Sequence, residues 1–111
     1  MPSATAKTAQ LLATLWERNR PLVDERLGQL ESAIDALIAT GTLAPEIQVD
    51  AANVAHKLAG TLGMFGYPRG TDLARLLEEV LELTDPLTPQ EALQMREWMT
   101  ELRLVLTKPP Q

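Results

Sequence analysis

Val23, Leu27, Leu30, Ile34, Leu37 and Ile38 recur every three or four residues. That spacing lays apolar side chains along one face of an α-helix. Gly41 follows, where a left-handed residue ends a helix. Similar stripes recur along the chain, and no segment alternates with the period of two that a strand needs, so the chain must fold as packed helices. Residues 5–18 read as a short amphipathic helix with Leu11, Leu12 and Leu15 on one side. Asn19 is placed to cap the second helix, the one carrying the Val23–Ile38 stripe, with Pro21 tolerated in its first turn. Pro45 begins a third helix that runs to Gly66. Pro68 opens a fourth, with Leu73, Leu76, Leu77, Val80 and Leu81, which Thr84-Asp85-Pro86 breaks. Thr88-Pro89-Gln90-Glu91 starts the fifth: a capping threonine, a first-turn proline and Glu91 in position to complete a capping box. Met95, Met99, Leu102 and Leu106 form its core stripe.

Short connections between long helices imply antiparallel neighbours. The expected fold is all-α: helices two to five make an antiparallel up-down-up-down four-helix bundle, and the first is an extra short N-terminal helix. The bundle domain is expected over residues 1–107, with Lys108-Pro109-Pro110-Gln111 (108–111) as a Pro-rich tail or the start of a linker. Phe65 is expected in the core, and Trp16 and Trp98 are expected to seal the bundle near its first helix. Hydrophobic residues make up 45% of the 111 but aromatics only 4%, so the core is aliphatic, as suits helix-on-helix packing.

Several function classes are excluded by composition. The net charge is −5 with no basic stripe, which argues against a nucleic-acid partner. Cysteine is absent, so there is neither a disulfide scaffold nor thiol catalysis. The lone histidine leaves a metal site only carboxylates to draw on, and no loop has calcium-binding spacing. No apolar run approaches the roughly 18 to 20 residues that span a bilayer. Trp16-Glu17-Arg18 interrupts any signal-peptide core, so no membrane contact and a cytoplasmic location are expected.

The lone histidine, His56, lies in the third helix, in Ala55-His56-Lys57-Leu58-Ala59-Gly60. At about 100° per residue, Val54, Phe65, Leu58, Ala51, Leu62 and Ala55 fall nearly opposite it, which predicts an exposed imidazole. Gly60 lies about 40° to one side and Gly63 about 20° to the other. Each glycine costs a helix about 1 kcal/mol relative to alanine. Ala52 and Ala59 border the same face, and Val49 lies on that side one or two turns earlier. A solvated face would carry long polar side chains; this one is flattened, as the close approach of a macromolecule requires. Val49, Ala52, Ala59, Gly60 and Gly63 are therefore the candidate partner-binding residues, the alternative being an ordinary surface histidine. No serine or threonine sits at a nucleophile elbow, and Gly60-Thr61-Leu62-Gly63-Met64-Phe65-Gly66 lacks the ending and the preceding strand of a phosphate loop, so ATP chemistry of the chain's own is poorly supported. A neutral imidazole can instead accept a phosphoryl group delivered by a partner.

His56-Lys57-Leu58-Ala59-Gly60, followed by Thr61 and by Gly66 ten residues after the histidine, resembles the histidine-containing phosphotransfer (HPt) domain. Leu73-Ala74-Arg75-Leu76-Leu77-Glu78 matches the leucine-rich helix with an acidic end that follows the motif in that family. The resemblance implies a four-helix bundle and a phosphorelay intermediate rather than an enzyme. A response-regulator receiver domain, phosphorylated on aspartate, would dock on the His56 face and pass its phosphoryl group reversibly to Nε2. An upstream histidine kinase is a further implied partner. No cofactor is implied for this chain, since Mg²⁺ and the acidic pocket would belong to the receiver. Lys57, the nearest cation in sequence, and Arg69, which starts the following helix, are candidates to neutralise the phosphate. Ala59 stands where the family usually has lysine, so the competing reading is a non-catalytic helical module that docks a signalling partner without phosphotransfer. Glu78, Glu79 and Glu82 read as a solvated face, and a monomer is the default for a carrier that must expose its helix.

Overall fold

The computed structural model describes residues 4–110, which form four helices: α1 (Ala4–Thr40), α2 (Pro45–Met64), α3 (Pro68–Leu81) and α4 (Pro89–Val105). No strand occurs among the described residues. The extra N-terminal helix is not a separate element: the first two expected helices are one continuous helix of 37 residues. Asn19 does not cap; its side-chain amide donates to the carbonyl of Leu15, one turn back in the same helix (2.9 Å). Pro21 sits inside α1 but is exposed, so the Glu17 carbonyl that lacks its N–H partner can turn to water. Trp16 and Val23, buried on either side of the proline, hold both halves of the helix in register. At 1.5 Å per residue α1 is about 55 Å long, close to the 58 Å long axis of the molecule. Its residues 6–14 are all exposed.

Packing closes into a ring. α1 lies against α2 and α4, α2 against α3, and α3 against α4. Leu27, Leu30, Leu58, Leu62, Leu73, Leu77, Met95 and Leu102 are almost fully buried at its centre, with Met99 and Phe65 beside them. Trp16 meets Phe65 and Tyr67 at ring-centroid distances of 5.4 and 5.0 Å, and Trp98 packs half-buried against the core. The Tyr67 hydroxyl donates to the carbonyl of Lys108 (2.8 Å), tying the segment after α4 to the start of α3. Gly41 takes a positive φ of 80°, as a left-handed helix terminator should. The capping box of α4 forms in both directions between Thr88 and Glu91.

The contact that positions the functional face is between α2 and α3. Thr71 of α3 is buried, and its hydroxyl donates to the carbonyl of Ala59 (2.9 Å). A Cβ added at Gly63 would stand 3.1 Å from that same hydroxyl, and one added at Gly70 would stand 3.1 Å from the Leu62 side chain. Small residues thus let the two helices approach closely, which brings the charged face of α3 alongside His56.

Candidate functional site

His56 is exposed, as a helical wheel drawn at about 100° per residue predicts: 74% of its side chain is accessible. It is not free-standing. Nδ1 lies 2.8 Å from Oε2 of Glu78, on the second half of α3, whose side chain is only 18% accessible. A carboxylate only accepts, so Nδ1 carries the proton of this bond. In the neutral ring that assignment leaves the lone pair on Nε2, the nitrogen then able to act as a nucleophile. The face beside the imidazole is a shallow open depression of about 380 Å³, formed by His56, Ala59 and Gly60 from α2. Its other wall is Arg75, Glu78, Glu79 and Glu82 of α3. Those four residues recur at intervals of three and four and share one helix face.

The residues singled out from the sequence divide sharply. Gly60 is a true opening, with nothing within 4 Å of an added Cβ. Val49 is 59% exposed two turns before His56 on α2. Gly63 is exposed, but its missing Cβ makes room for Thr71 of α3 as well as for anything outside. Ala52 and Ala59 are buried, at 7% and 6% exposure, because α3 packs closer to the histidine than the wheel alone foresees. Ala59 still contributes to the floor of the depression, whereas Ala52 belongs to the core. Neither candidate cation is at the site. Lys57 points around α2 into a cleft shared with Glu25 and Gly28 of α1. Arg69 donates two hydrogen bonds to Glu101 of α4, at 2.5 and 2.9 Å. It stands nine residues before Glu78 on α3, about 13 Å along the axis. Arg69 thus clasps α3 to α4, and its partnership holds the Glu101 carboxyl below its ordinary range.

Two residues went unrecognised in the sequence. Glu78, read as part of a solvated face, orients the imidazole; Arg75 supplies the cation of the depression. Their common face on α3 is readable from spacing, but which element it meets depends on how α3 packs against α2. Among the described residues, no three His, Asp or Glu side chains converge to hold a metal ion.

The Hpt domain profile matches residues 10–105, and this chain belongs to that family. Hpt domains are phosphocarrier modules of two-component signalling. Over 88 residues the chain is 39% identical to Protein RcaC of Microchaete diplosiphon; the match covers 79% of this chain and 13% of that protein's length. No solved structure gives a significant match. No helix among the described residues is long and apolar enough to cross a membrane.

Proposed function

We propose that this Hpt domain accepts a phosphoryl group on Nε2 of His56 from the aspartyl phosphate of a receiver domain and returns it to a receiver aspartate. The observation that carries this reading is the Nδ1–Glu78 hydrogen bond on an otherwise exposed imidazole. Gly60, open to solvent beside the ring, supports the approach of a bulky donor. In the forward step the Nε2 lone pair forms the N–P bond while the P–O bond of the acyl phosphate breaks, and the electron pair leaves with the receiver's carboxylate. The ring gains positive charge, and Glu78, already bonded to the Nδ1 proton, stabilises it. Such transfer needs position and charge stabilisation more than covalent work by the carrier. Mg²⁺ belongs to the receiver in this reading, and the chain itself takes no cofactor. An upstream histidine kinase, a cytoplasmic location, a monomer, an antiparallel up-down-up-down order of the helices and a bundle domain over residues 1–107 complete the proposal.

The test is transfer from a labelled, aspartyl-phosphorylated receiver. Wild-type chain should take up acid-labile, alkali-stable label, and His56→Gln should take up none while still binding the receiver. Gly60→Arg should fold, since the position is open, and bind the receiver poorly. Binding without labelling across a panel of receivers would sink the carrier reading and leave a docking module.

A further inference from the structure

The depression beside His56 is oddly charged for a phosphate acceptor. It holds three carboxylates, Glu78, Glu79 and Glu82, against one cation, Arg75. A phosphoryl group arriving on Nε2 brings further negative charge, and the carboxylates oppose it. Arg69 is committed to Glu101 and Lys57 faces α1, so neither relieves that opposition. Arg75 is exposed and its side chain makes no hydrogen bond or ion pair with another described residue, although acidic side chains stand three and four positions further along its own helix. It sits one turn, about 4.5 Å along α3, from the carboxylate that orients the ring. Its guanidinium offers a planar fork of donors that fits two phosphoryl oxygens.

We propose that Arg75 is the phosphoryl-binding residue of this carrier, donating to the oxygens of the group as it moves onto and off Nε2. The assignment rests on His56 being the acceptor, and it moves the cation from α2, where the sequence places Ala59, to the facing helix α3. Because the contact is with the transferring group and not with the donor protein, Arg75 acts on any donor that phosphorylates His56.

The experiment compares wild type, Arg75→Gln, Arg75→Lys and His56→Gln with two donors: an aspartyl-phosphorylated receiver and phosphoramidate. In the second, the N–P bond to Nε2 forms as the donor's P–N bond breaks and ammonia leaves. Affinity for the unphosphorylated receiver is measured alongside. Arg75→Gln should be labelled about tenfold more slowly by both donors, the worth of one charge-assisted hydrogen bond. Its receiver affinity should be unchanged, and Arg75→Lys should recover most of the rate. Wild-type rates in Arg75→Gln, with His56→Gln inert, overturn the role of Arg75 and leave the carrier intact. Equal slowing in the lysine and glutamine variants, or slowing explained by lost receiver affinity, overturns it too. No label on wild type from either donor brings down the His56 reading, and the Arg75 assignment with it.

Discussion

Replacing Glu78 by alanine separates two effects that act in opposite directions on the same site. The variant removes the acceptor for the Nδ1 proton of His56, freeing the ring to rotate and to place its proton on either nitrogen. Hydrogen bonds to charged groups contribute about 1.5–3 kcal/mol, and the high exposure of the imidazole argues for the low end. The variant also deletes a negative charge. At about 7 Å in a water-like dielectric, that charge costs an incoming phosphoryl charge about 0.6 kcal/mol, less with salt. The orienting bond wins by about 0.9 kcal/mol, so Glu78→Ala should accept phosphate about fivefold more slowly. Glu79→Gln removes a neighbouring charge of the depression without touching the bond, and should be unchanged or up to about threefold faster. Rapid-quench transfer kinetics read the rates, and ¹⁵N NMR of the imidazole reads the tautomer. Glu78→Ala matching Glu79→Gln in rate, with the proton still on Nδ1, would refute the orienting role.

Other consequences follow from the packing. Gly60→Ala should raise stability by about 1 kcal/mol, roughly 4 °C in Tm, because the helix gains and nothing is crowded. Gly63→Ala should gain nothing or lose up to about 1 kcal/mol, since its Cβ presses on the buried Thr71 hydroxyl that is already bonded to Ala59; equal thermal shifts in the two variants would contradict the close approach of α2 and α3. Arg69→Ala should leave phosphoryl transfer untouched. Its effect is on acid stability: Glu101 has a depressed carboxyl, so the pair's contribution is present above the ordinary value of 4.5 and lost as pH falls through the folded value, and the variant should lack that decline in acid denaturation profiles. Burial pushes the Tyr67 hydroxyl above its ordinary 10.0, so its contribution is complete below that pH and lost as pH rises through the higher folded value. Tyr67→Phe should flatten the alkaline limb of the stability curve, at a cost near neutrality of about 0.5–1 kcal/mol for the lost bond to Lys108.

Much of the fold is legible from local signals. The apolar stripes from Val23 onward, the first-turn prolines at 45, 68 and 89, Gly41 and the capping box at Thr88 each act within a turn or two of chain, and each appears as read, whereas Leu11 and Leu12 stay exposed. The break expected at Asn19 fails because a proline on the exposed side of a helix loses only a solvated hydrogen bond, while Trp16 and Val23 gain burial by staying in register. Exposure of His56 follows from the wheel, which compares a helix with itself. The wheel cannot say which neighbour leans over the helix edge, so Ala52 and Ala59 are more buried than expected. For the same reason Glu78 and Arg75, 22 and 19 residues beyond His56, are invisible as partners until α3 is packed on α2. Lys57 and Arg69 are attractive by sequence proximity alone, but Lys57 lines the groove between α2 and α1, and Glu101 of α4 binds Arg69.

The central claim is that Nε2 of His56 takes the phosphoryl group while Glu78 holds the proton on Nδ1. It is tested most directly by phosphorylating chain labelled with ¹⁵N-histidine and reading ³¹P–¹⁵N coupling by NMR, which identifies the bonded nitrogen. With a single histidine in the chain, the assignment has no competitor among imidazoles. The account predicts one phosphoryl group, coupled to Nε2, with Nδ1 still protonated. Phosphate on Nδ1, or phosphorylated chain with no coupling to imidazole nitrogen, would contradict it.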